Sequence, residues 1–341
     1  MDRMIKVLIV DDSSFAREIV KEILSNDPQL KVIGEASNGE EAIEKTASLH
    51  PDLITMDITM PVMNGITAIE QIMGSTPTPI LVLTSRTDSQ IAYEAISKGA
   101  LEVFRKPKLN EIDALDLIAR IKSLSRVKVI KHLIKASNIY IPKPLTPKPR
   151  ISGEQLMIIG IVSSTGGPKA LADILGSLPG DLQATILIAQ HIGGGFSQGL
   201  ATWLNQISPL TVQIADFGKK VLPGHVYIAP NEKHIELGLD NCIRFTDSTK
   251  KDLYTPSCNR LLTSISLFAT RSIGVVLSGM GNDGSIGIKD LKDSGAFTIA
   301  QDEESSVIFG MPGSAIKTGS IDLILPLSSI PGELVRQVGL R

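Results

Sequence analysis

The sequence has little of what several functional classes require. Aromatic residues make up 4% of the 341 residues, which argues against a surface that stacks nucleic-acid bases. The formal net charge is −2, so the chain as a whole is not attracted to nucleic acid or to an anionic membrane. No apolar run approaches the roughly 18 residues of a membrane-spanning helix. We therefore expect no nucleic-acid partner and no direct insertion into a membrane.

Cysteine is also scarce. The two cysteines, Cys242 and Cys258, do not have the spacing of a metal site, and we interpret them as structural thiols in a reducing compartment. The first residues, Met1 to Lys6, enter a predicted strand at once and lack the apolar region of a signal peptide. Both features predict a cytoplasmic protein.

The length of 341 residues predicts more than one domain. In residues 1–125, short apolar strands such as Leu53–Met56 alternate with amphipathic helical patterns. Five such strand-helix units in about 120 residues predict a doubly wound parallel α/β sheet, a (βα)5 domain.

Polar residues in this first segment follow the predicted strands, where an α/β sheet binds its ligands. Asp11 and Asp12 end the first strand, Asp57 the third and Thr84 the fourth, and Lys106 follows the fifth. Three carboxylates in one place repel each other unless a cation lies among them, and an oxygen-only set favours Mg²⁺. Lys106 and Thr84 would then hold the oxygens of a phosphoryl group on Asp57. The alternative is that the acids are helix caps or loop residues.

The motifs of this segment resemble the receiver domain of two-component response regulators. They are Val10-Asp11-Asp12-Ser13, Met56-Asp57-Ile58-Thr59-Met60-Pro61-Val62-Met63-Asn64-Gly65, Leu83-Thr84-Ser85 and Lys106-Pro107. The resemblance implies that Asp57 accepts a phosphoryl group from a histidine kinase. It also implies a Mg²⁺ ion bound by Asp12, Asp57 and the Thr59 carbonyl, with Asp11 reaching it through water. One departure is Val103, where receivers usually carry an aromatic switch residue.

Residues 126–152 are basic and rich in proline, and no acid lies between Asp116 and Glu154. Such a composition predicts an extended, semi-rigid spacer. The spacer is either a solvated linker or a basic arm that contacts an acidic partner or nucleic acid. A DNA-binding regulator would need a small module with a basic recognition helix after it, and none is visible.

Residues 153–341 predict a second doubly wound α/β domain, of the Rossmann-like type, with a β-hairpin between His234 and Thr246. Its predicted elements include a strand at Gly274–Leu277 and a helix at Cys258–Thr270. Three polar sites follow predicted strands, and they contain Ser164, His191 and Asp283.

Serine, histidine and aspartate at neighbouring strand ends supply a nucleophile, a base and an orienting acid. Imidazole titrates near neutral pH, so it can take a hydroxyl proton and return it to a leaving group. Each residue also has a simpler interpretation. Ser164 alone is more often a helix N-cap, His191 a rim histidine, and Gly279–Gly284 a turn or a phosphate loop. From spacing alone, a non-catalytic binding domain remains open.

Further motifs are similar to the chemotaxis protein-glutamate methylesterase family, which joins a receiver to a catalytic domain. They are Ser164-Thr165-Gly166-Gly167, Gln190-His191, Val221-Leu222-Pro223-Gly224-His225, Gly279-Met280-Gly281-Asn282-Asp283-Gly284 and Phe309-Gly310-Met311-Pro312. The resemblance implies phosphorylation-activated hydrolysis of glutamate γ-methyl esters on the cytoplasmic helices of chemoreceptors, and deamidation of receptor glutamines. Ser164 would be the nucleophile, His191 the base and Asp283 the orienting acid. Thr165 and Met280 would lie at the oxyanion, and ester hydrolysis would need no cofactor.

Two departures concern this second segment. The family commonly has Gly-Ala before the serine, where this chain has Val162-Ser163, so the turn is expected to be more crowded and Ser163 competes as nucleophile. An Arg-Pro-Ser-x-Asp pattern near the substrate cleft reads Thr255-Pro256-Ser257-Cys258-Asn259 and loses both charges. We expect altered receptor affinity from that loss.

Overall fold

The computed structural model describes residues 3–84, 89–108, 111–127, 129, 156–193, 195–249 and 252–340. The chain divides into two compact units, Met1–Ala136 and Ser137–Arg341. Most of the predicted linker, residues 126–152, lies outside the described residues, so its extended conformation and its boundaries stay predictions.

The first unit is a five-stranded parallel sheet in the order β2-β1-β3-β4-β5. Its elements are β1 Ile5–Val10, α1 Ser14–Ser25, β2 Leu30–Ala36, α2 Gly39–Leu49, β3 Leu53–Met56, α3 Gly65–Ser75, β4 Ile80–Thr84, α4 Ser89–Ser97, β5 Glu102–Arg105 and α5 Glu111–Leu124. The helices cover both faces, since α1 contacts α5 on one side while α3 contacts α2 and α4 on the other. The predicted (βα)5 fold is confirmed.

Local sequence explains where these helices begin. The side chains of Ser13, Asn38 and Asn64 precede α1, α2 and α3, and each accepts a hydrogen bond from a backbone N–H in the first turn. β3 and β4 are buried along their whole length, which fits their continuous apolar sequence. The loops that follow the strands are therefore fixed by rigid elements on both sides.

The second unit contains a seven-stranded parallel sheet in the order β14-β13-β12-β6-β7-β9-β8 and a two-stranded antiparallel hairpin, β10-β11. Its strands are β6 Met157–Ser163, β7 Ala184–Gln190, β8 Thr211–Ile214, β9 His225–Ile228, β10 Lys233–Leu237, β11 Ile243–Asp247, β12 Ser272–Val276, β13 Phe297–Gln301 and β14 Leu323–Leu325. Its α-helices are α6 Gly167–Ser177, α7 Ser197–Ile207, α8 Cys258–Ser266, α9 Ser285–Asp293, α10 Met311–Lys317 and α11 Ile330–Leu340. The predicted doubly wound fold with a hairpin is confirmed.

The order of the strands indicates where a ligand site is expected in this sheet. The chain moves outward from β6 through β7 in one direction and from β12 through β13 to β14 in the other. The switch point therefore lies between β6 and β12, and a crevice at the carboxyl ends of these strands is the expected ligand site. Ser164 directly follows β6, at this point.

Some predicted boundaries in the second unit are wrong. The helix predicted at Cys258–Thr270 ends at Ser266, because Ala269 takes a left-handed φ of 48° that no α-helix accommodates. The strand predicted at Gly274–Leu277 lies two residues earlier at its start, at Ser272–Val276. We did not predict β14, α10 or α11. Among the described helices, none is both long and apolar enough to cross a bilayer.

Candidate functional sites

The first site lies at the carboxyl ends of β1, β3, β4 and β5. The ligand oxygens of Asp11, Asp12 and Asp57 lie within 4.8 Å of one another. Lys106 Nζ lies 2.8 Å from Asp11 Oδ2 and 3.0 Å from Asp57 Oδ2. The structure thus brings together the acids and the lysine that the sequence placed on separate strands.

Two features of this site suit a phosphoryl group. The Thr84 hydroxyl is buried and has no hydrogen-bond partner among the residues that the structure describes. An unpaired buried hydroxyl is costly unless a ligand pairs with it. Burial raises the pKa of Asp57 to about 6, although the hydrogen bond and charge of Lys106 oppose this rise. A cation bound at Asp57 would relieve that burial cost.

The donor set fits a hard divalent cation. Three carboxylates and one ammonium leave a formal charge of −2, since three negative charges are offset by one positive charge. All the side-chain donors are oxygens, as Mg²⁺ prefers. Asp12 is exposed and Asp57 is buried, so a bound ion would keep one side open to water. Thr59 lies in the loop after β3, two residues beyond Asp57.

The raised pKa of Asp57 predicts a pH-dependent stability of the first unit. The folded pKa of about 6 exceeds the usual aspartate pKa of 3.8, so the contribution of Asp57 to stability is present below about pH 4 and is lost as the pH rises through about 6. Without divalent cations, Asp57→Asn should therefore raise the free energy of unfolding at pH 7 by about 2 to 3 kcal/mol, and by little at pH 4. Hydrogen exchange of the β1 and β3 amides measures this free energy. Glu44→Gln, an exposed acid on α2, is the matched control, and an equal gain from both variants would contradict the assignment.

The second site is built around the paired ends of β6 and β7. Ser163 and Gln190 are partners in the parallel register, so the residues after them, Ser164 and His191, are also neighbours. Gln190 Nε2 donates to the carbonyls of both Ser164 and His191, at 2.8 Å each. One amide thereby fixes both loops. Sequence reasoning missed this role of Gln190, although the residue stood within a motif.

The structure separates the two candidate serines. The Ser163 hydroxyl is fully buried and donates to Gln190 Oε1 at 2.5 Å. Gly167 packs on the same pair, because a Cβ there would lie 2.1 Å from Gln190 Oε1. Ser163 is therefore a structural residue, and no hydrogen bond engages the Ser164 hydroxyl within the described part of the chain.

The helix-cap interpretation of Ser164 is wrong. The N-cap of α6 is Gly166, whose φ is 80°, and no side chain caps this helix end. The N–H of Ser164 donates to the Ser278 carbonyl at 3.0 Å, and its carbonyl accepts from Gly167 N. The backbone of Ser164 is thus held by the segment after β12 and by the first residue of α6, while its hydroxyl has no hydrogen-bond partner among the described residues.

His191 and Asp283 form the buried pair that the sequence predicted. His191 Nε2 lies 2.9 Å from Asp283 Oδ2, and the imidazole stacks on Tyr254 with ring centroids 4.5 Å apart. Burial raises the pKa of Asp283, but hydrogen bonds from His191 and from the backbone N–H groups of Cys258 and Asn259 outweigh this effect, so that the net pKa lies below its usual range. Asp283 is therefore an ionised acceptor at neutral pH.

The tautomer of His191 follows from this pairing. An ionised carboxylate only accepts hydrogen bonds, so Nε2 carries the ring proton of the neutral imidazole. His191 Nδ1 then holds the free lone pair, and it is buried without a hydrogen-bond partner among the described residues. A buried, unpaired acceptor beside the loop of Ser164 is suited to the role of a general base. The sequence could not indicate which ring nitrogen has this role.

The two oxyanion candidates adjoin Ser164, Thr165 in the sequence and Met280 through its neighbour Gly279. The Thr165 N–H has no backbone acceptor among the described residues, and Thr165 is buried at the start of the turn into α6. Met280 follows Gly279, where a Cβ would lie 2.8 Å from the Ser164 Cβ. Both residues thus border Ser164, and their roles as oxyanion donors stay predictions.

Val162 does not crowd the turn as its bulk suggested. It is fully buried in the core of the second unit, on β6. A Cβ added to Gly284 would lie 3.2 Å from Val162 Cγ2, so the missing side chain of Gly284 makes room for the valine. The valine at position 162 therefore packs in the core beside Gly284.

Asn259 supports the loop of Asp283. Its Oδ1 accepts hydrogen bonds from the N–H groups of Gly284, Ile286 and Gly287 at 2.9 to 3.0 Å, and its own N–H donates to Asp283 Oδ1 at 3.0 Å. The start of α9 has no side-chain cap of its own. Sequence reasoning assigned the lost charge at this position to receptor affinity, and it missed this capping role.

Removing that cap should have a measurable cost. Asn259→Ala leaves three N–H groups without their acceptor, and we expect the free energy of unfolding of the second unit to fall by about 1 to 3 kcal/mol. Asn259→Asp keeps an acceptor oxygen at the positive end of α9 and should retain most of the stability. Urea unfolding followed by the fluorescence of Trp203, the single tryptophan, measures both variants. Equal losses in the two variants would contradict the capping role.

Comparison with known proteins agrees with the fold of both units. A family model described as the response regulator receiver domain matches residues 7–130, and one described as CheB methylesterase matches residues 159–334. A protein-glutamate methylesterase/protein-glutamine glutaminase of Syntrophus aciditrophicus is 38% identical over 98% of this chain and 99% of its own. A protein of the same name from Thermotoga maritima is 38% identical over 99% of both chains.

A solved structure is similar to the second unit in both sequence and fold. The crystal structure of the Thermotoga maritima CheB methylesterase catalytic domain covers 54% of this chain and 99% of its own chain, with 38% sequence identity and a TM-score of 0.51. The fold, the motifs and the near full-length relatives agree. This chain therefore belongs to the CheB family of response regulators, the protein-glutamate methylesterases/protein-glutamine glutaminases.

Proposed function

We propose that this chain is a phosphorylation-activated hydrolase of glutamate γ-methyl esters on chemoreceptors, with Ser164, His191 and Asp283 as its catalytic triad. The proposal depends above all on His191, whose Nε2 is held by Asp283 while the buried Nδ1 has no partner among the described residues. The relatives' shared name supports the reaction.

In this mechanism, Ser164 Oγ attacks the ester carbonyl and gives its proton to His191 Nδ1. Asp283 stabilises the imidazolium through Nε2, and the N–H groups of Thr165 and Met280 donate to the oxyanion. His191 then protonates the leaving methoxide, and methanol departs. Water, deprotonated by the same Nδ1, then attacks the acyl-enzyme, and His191 returns this proton to Ser164 Oγ as the free glutamate leaves. No cofactor takes part in these steps.

The same residues would deamidate receptor glutamines, as the relatives' second name suggests. Ammonia replaces methanol as the leaving group, and both routes share the acyl-enzyme. An amide nitrogen is a poorer leaving group than a methoxide, so the proton from His191 matters more in this reaction.

The first unit would supply the regulation. Asp57 would accept a phosphoryl group from a chemotaxis histidine kinase, with Lys106 and Thr84 placed on the phosphoryl oxygens. Asp11, Asp12, Asp57 and the Thr59 carbonyl would hold Mg²⁺, which neutralises charge during phosphoryl transfer. Partners of this kind, a kinase and the cytoplasmic helices of chemoreceptors, would place the protein in the cytoplasm.

Methanol release from methylated chemoreceptor tests this function. The full chain should release methanol, and a small-molecule phosphodonor with Mg²⁺ should increase the rate. Removal of residues 1–125 should abolish the response to the phosphodonor. The shortened chain should still release methanol without the donor. No release from the full chain under either condition would contradict the proposal.

A further inference from the structure

One residue in the second site has no role in the proposed reaction. Cys258, the first residue of α8, is fully buried, and its Sγ lies 3.3 Å from His191 Nε2. Its backbone N–H donates to Asp283 Oδ2 at 2.8 Å. We interpreted this thiol from the sequence as a structural one, yet it faces the atoms that orient the base.

Together, Cys258, His191 and Asp283 offer a sulfur, a nitrogen and an oxygen within 4.8 Å of one another. They come from α8, from the end of β7 and from the loop after β12, three elements fixed by the sheet. Thiolate, imidazole and carboxylate are the ligands of zinc in proteins. The linear sequence hides this set, because 67 residues separate His191 from Cys258.

The distances suit a tetrahedral ion. Zinc bond lengths imply ligand separations of about 3.6 Å for S and N and about 3.4 Å for N and O. The observed separations are 3.3 Å between Cys258 Sγ and His191 Nε2 and 2.9 Å between His191 Nε2 and Asp283 Oδ2. An ion would therefore need the side chains to separate by only a few tenths of an ångström.

We propose that Cys258, His191 and Asp283 form an inhibitory binding site for a thiophilic divalent cation of the Zn²⁺ class. This inference rests on the proposed roles of His191 and Asp283 for its inhibitory consequence, but the binding itself does not depend on them. The three side chains supply three of the four ligands of a tetrahedral ion.

Binding would disable the base through its tautomer. A cation on Nε2 occupies the lone pair of that nitrogen, so the ring proton moves from Nε2 to Nδ1, and the thiol proton passes to solvent as Cys258 becomes a thiolate. Nδ1 then carries a proton and cannot accept the one from Ser164. The cation also takes Asp283 Oδ2 away from the imidazole. Hydrolysis should stop while Ser164 remains in place.

The test uses Cd²⁺ and the full chain, with the second cysteine as a matched control. Wild type and Cys242→Ser should each show, on binding Cd²⁺, the ultraviolet charge-transfer absorbance of one cadmium thiolate. Cys258→Ser should lose this absorbance and weaken binding by more than about 100-fold, beyond the usual cost of losing an outer-shell partner. Asp283→Asn should keep the absorbance and bind more weakly than wild type, and Ser164→Ala should bind like wild type.

Methanol release gives the second readout. Cd²⁺ and Zn²⁺ should abolish methanol release by wild type and by Cys242→Ser. The rate of release by Cys258→Ser should be the same with the metal as without it. Absorbance that persists in Cys258→Ser, or that is lost in Cys242→Ser, would overturn the site. Binding at Cys258 without inhibition would overturn the inhibitory role. The absorbance decides the site even if no variant hydrolyses methyl esters, so failure of the proposed function is distinguishable from failure of this inference.

Discussion

Replacing Ser164 by alanine is expected to lower methanol release from methylated chemoreceptor by about 10⁴- to 10⁶-fold, as for the nucleophile of other serine hydrolases. The hydroxyl is free of hydrogen bonds within the described residues, and the backbone of Ser164 is held by Ser278 and Gly167. Alanine should therefore remove the nucleophile and leave the turn unchanged. Release measured at saturating receptor reports this loss directly.

Ser163→Ala is the matched control, since it removes a hydroxyl from the neighbouring residue. Ser163 donates to Gln190, and Gln190 holds the loops of both Ser164 and His191. We expect a loss of stability of about 1 kcal/mol and a far smaller loss of rate than for Ser164→Ala. A larger loss of rate from Ser163→Ala than from Ser164→Ala would reverse the assignment of the nucleophile.

Asp57→Asn is expected to abolish phosphorylation of the first unit and, with it, the activation of ester hydrolysis. An amide has no anionic oxygen to attack a phosphorus atom, and Lys106 would lose one of its two carboxylate partners. Radiolabel from a phosphodonor should fall to background in this variant. Methanol release with the donor should equal release without it.

The exposed acid Glu44 again supplies the control, because Glu44→Gln changes the same charge away from the strand ends. The Glu44→Gln variant should keep both the radiolabel from the phosphodonor and the activation of methanol release. Activation of Asp57→Asn to the level of wild type would show that another group receives the phosphoryl group, or that the donor acts by binding alone.

The sequence predicted the parts of this molecule that depend on local pattern. Leu53–Met56 is a strand with the predicted bounds, because a buried parallel strand is a continuous apolar run between turn residues. The polar residues at strand ends were also predictable, since parallel strands present their carboxyl ends at one edge. Asp11, Asp57 and Lys106 meet at this edge of the first sheet. His191 and Asp283 meet at the same kind of edge in the second sheet.

Features that depend on side chains far apart in the chain were not predictable. No local pattern indicates that Asn259 Oδ1 caps α9, or that the Cys258 thiol faces His191. Asp283 lies at Nε2 of His191, and this leaves Nδ1 as the free ring nitrogen. Only the packed structure shows which of the two nitrogens Asp283 contacts. Short or irregular elements such as β14, with three residues at a sheet edge, also lack a clear period.

The central claim is that His191 activates Ser164, and labelling of the full chain with a serine-reactive fluorophosphonate tests it most directly. Peptide mass spectrometry should locate one adduct on Ser164 in the wild type. His191→Ala should lose the adduct, while Ser163→Ala should keep it. An adduct on Ser163, or undiminished labelling of Ser164 in the absence of His191, would contradict the account.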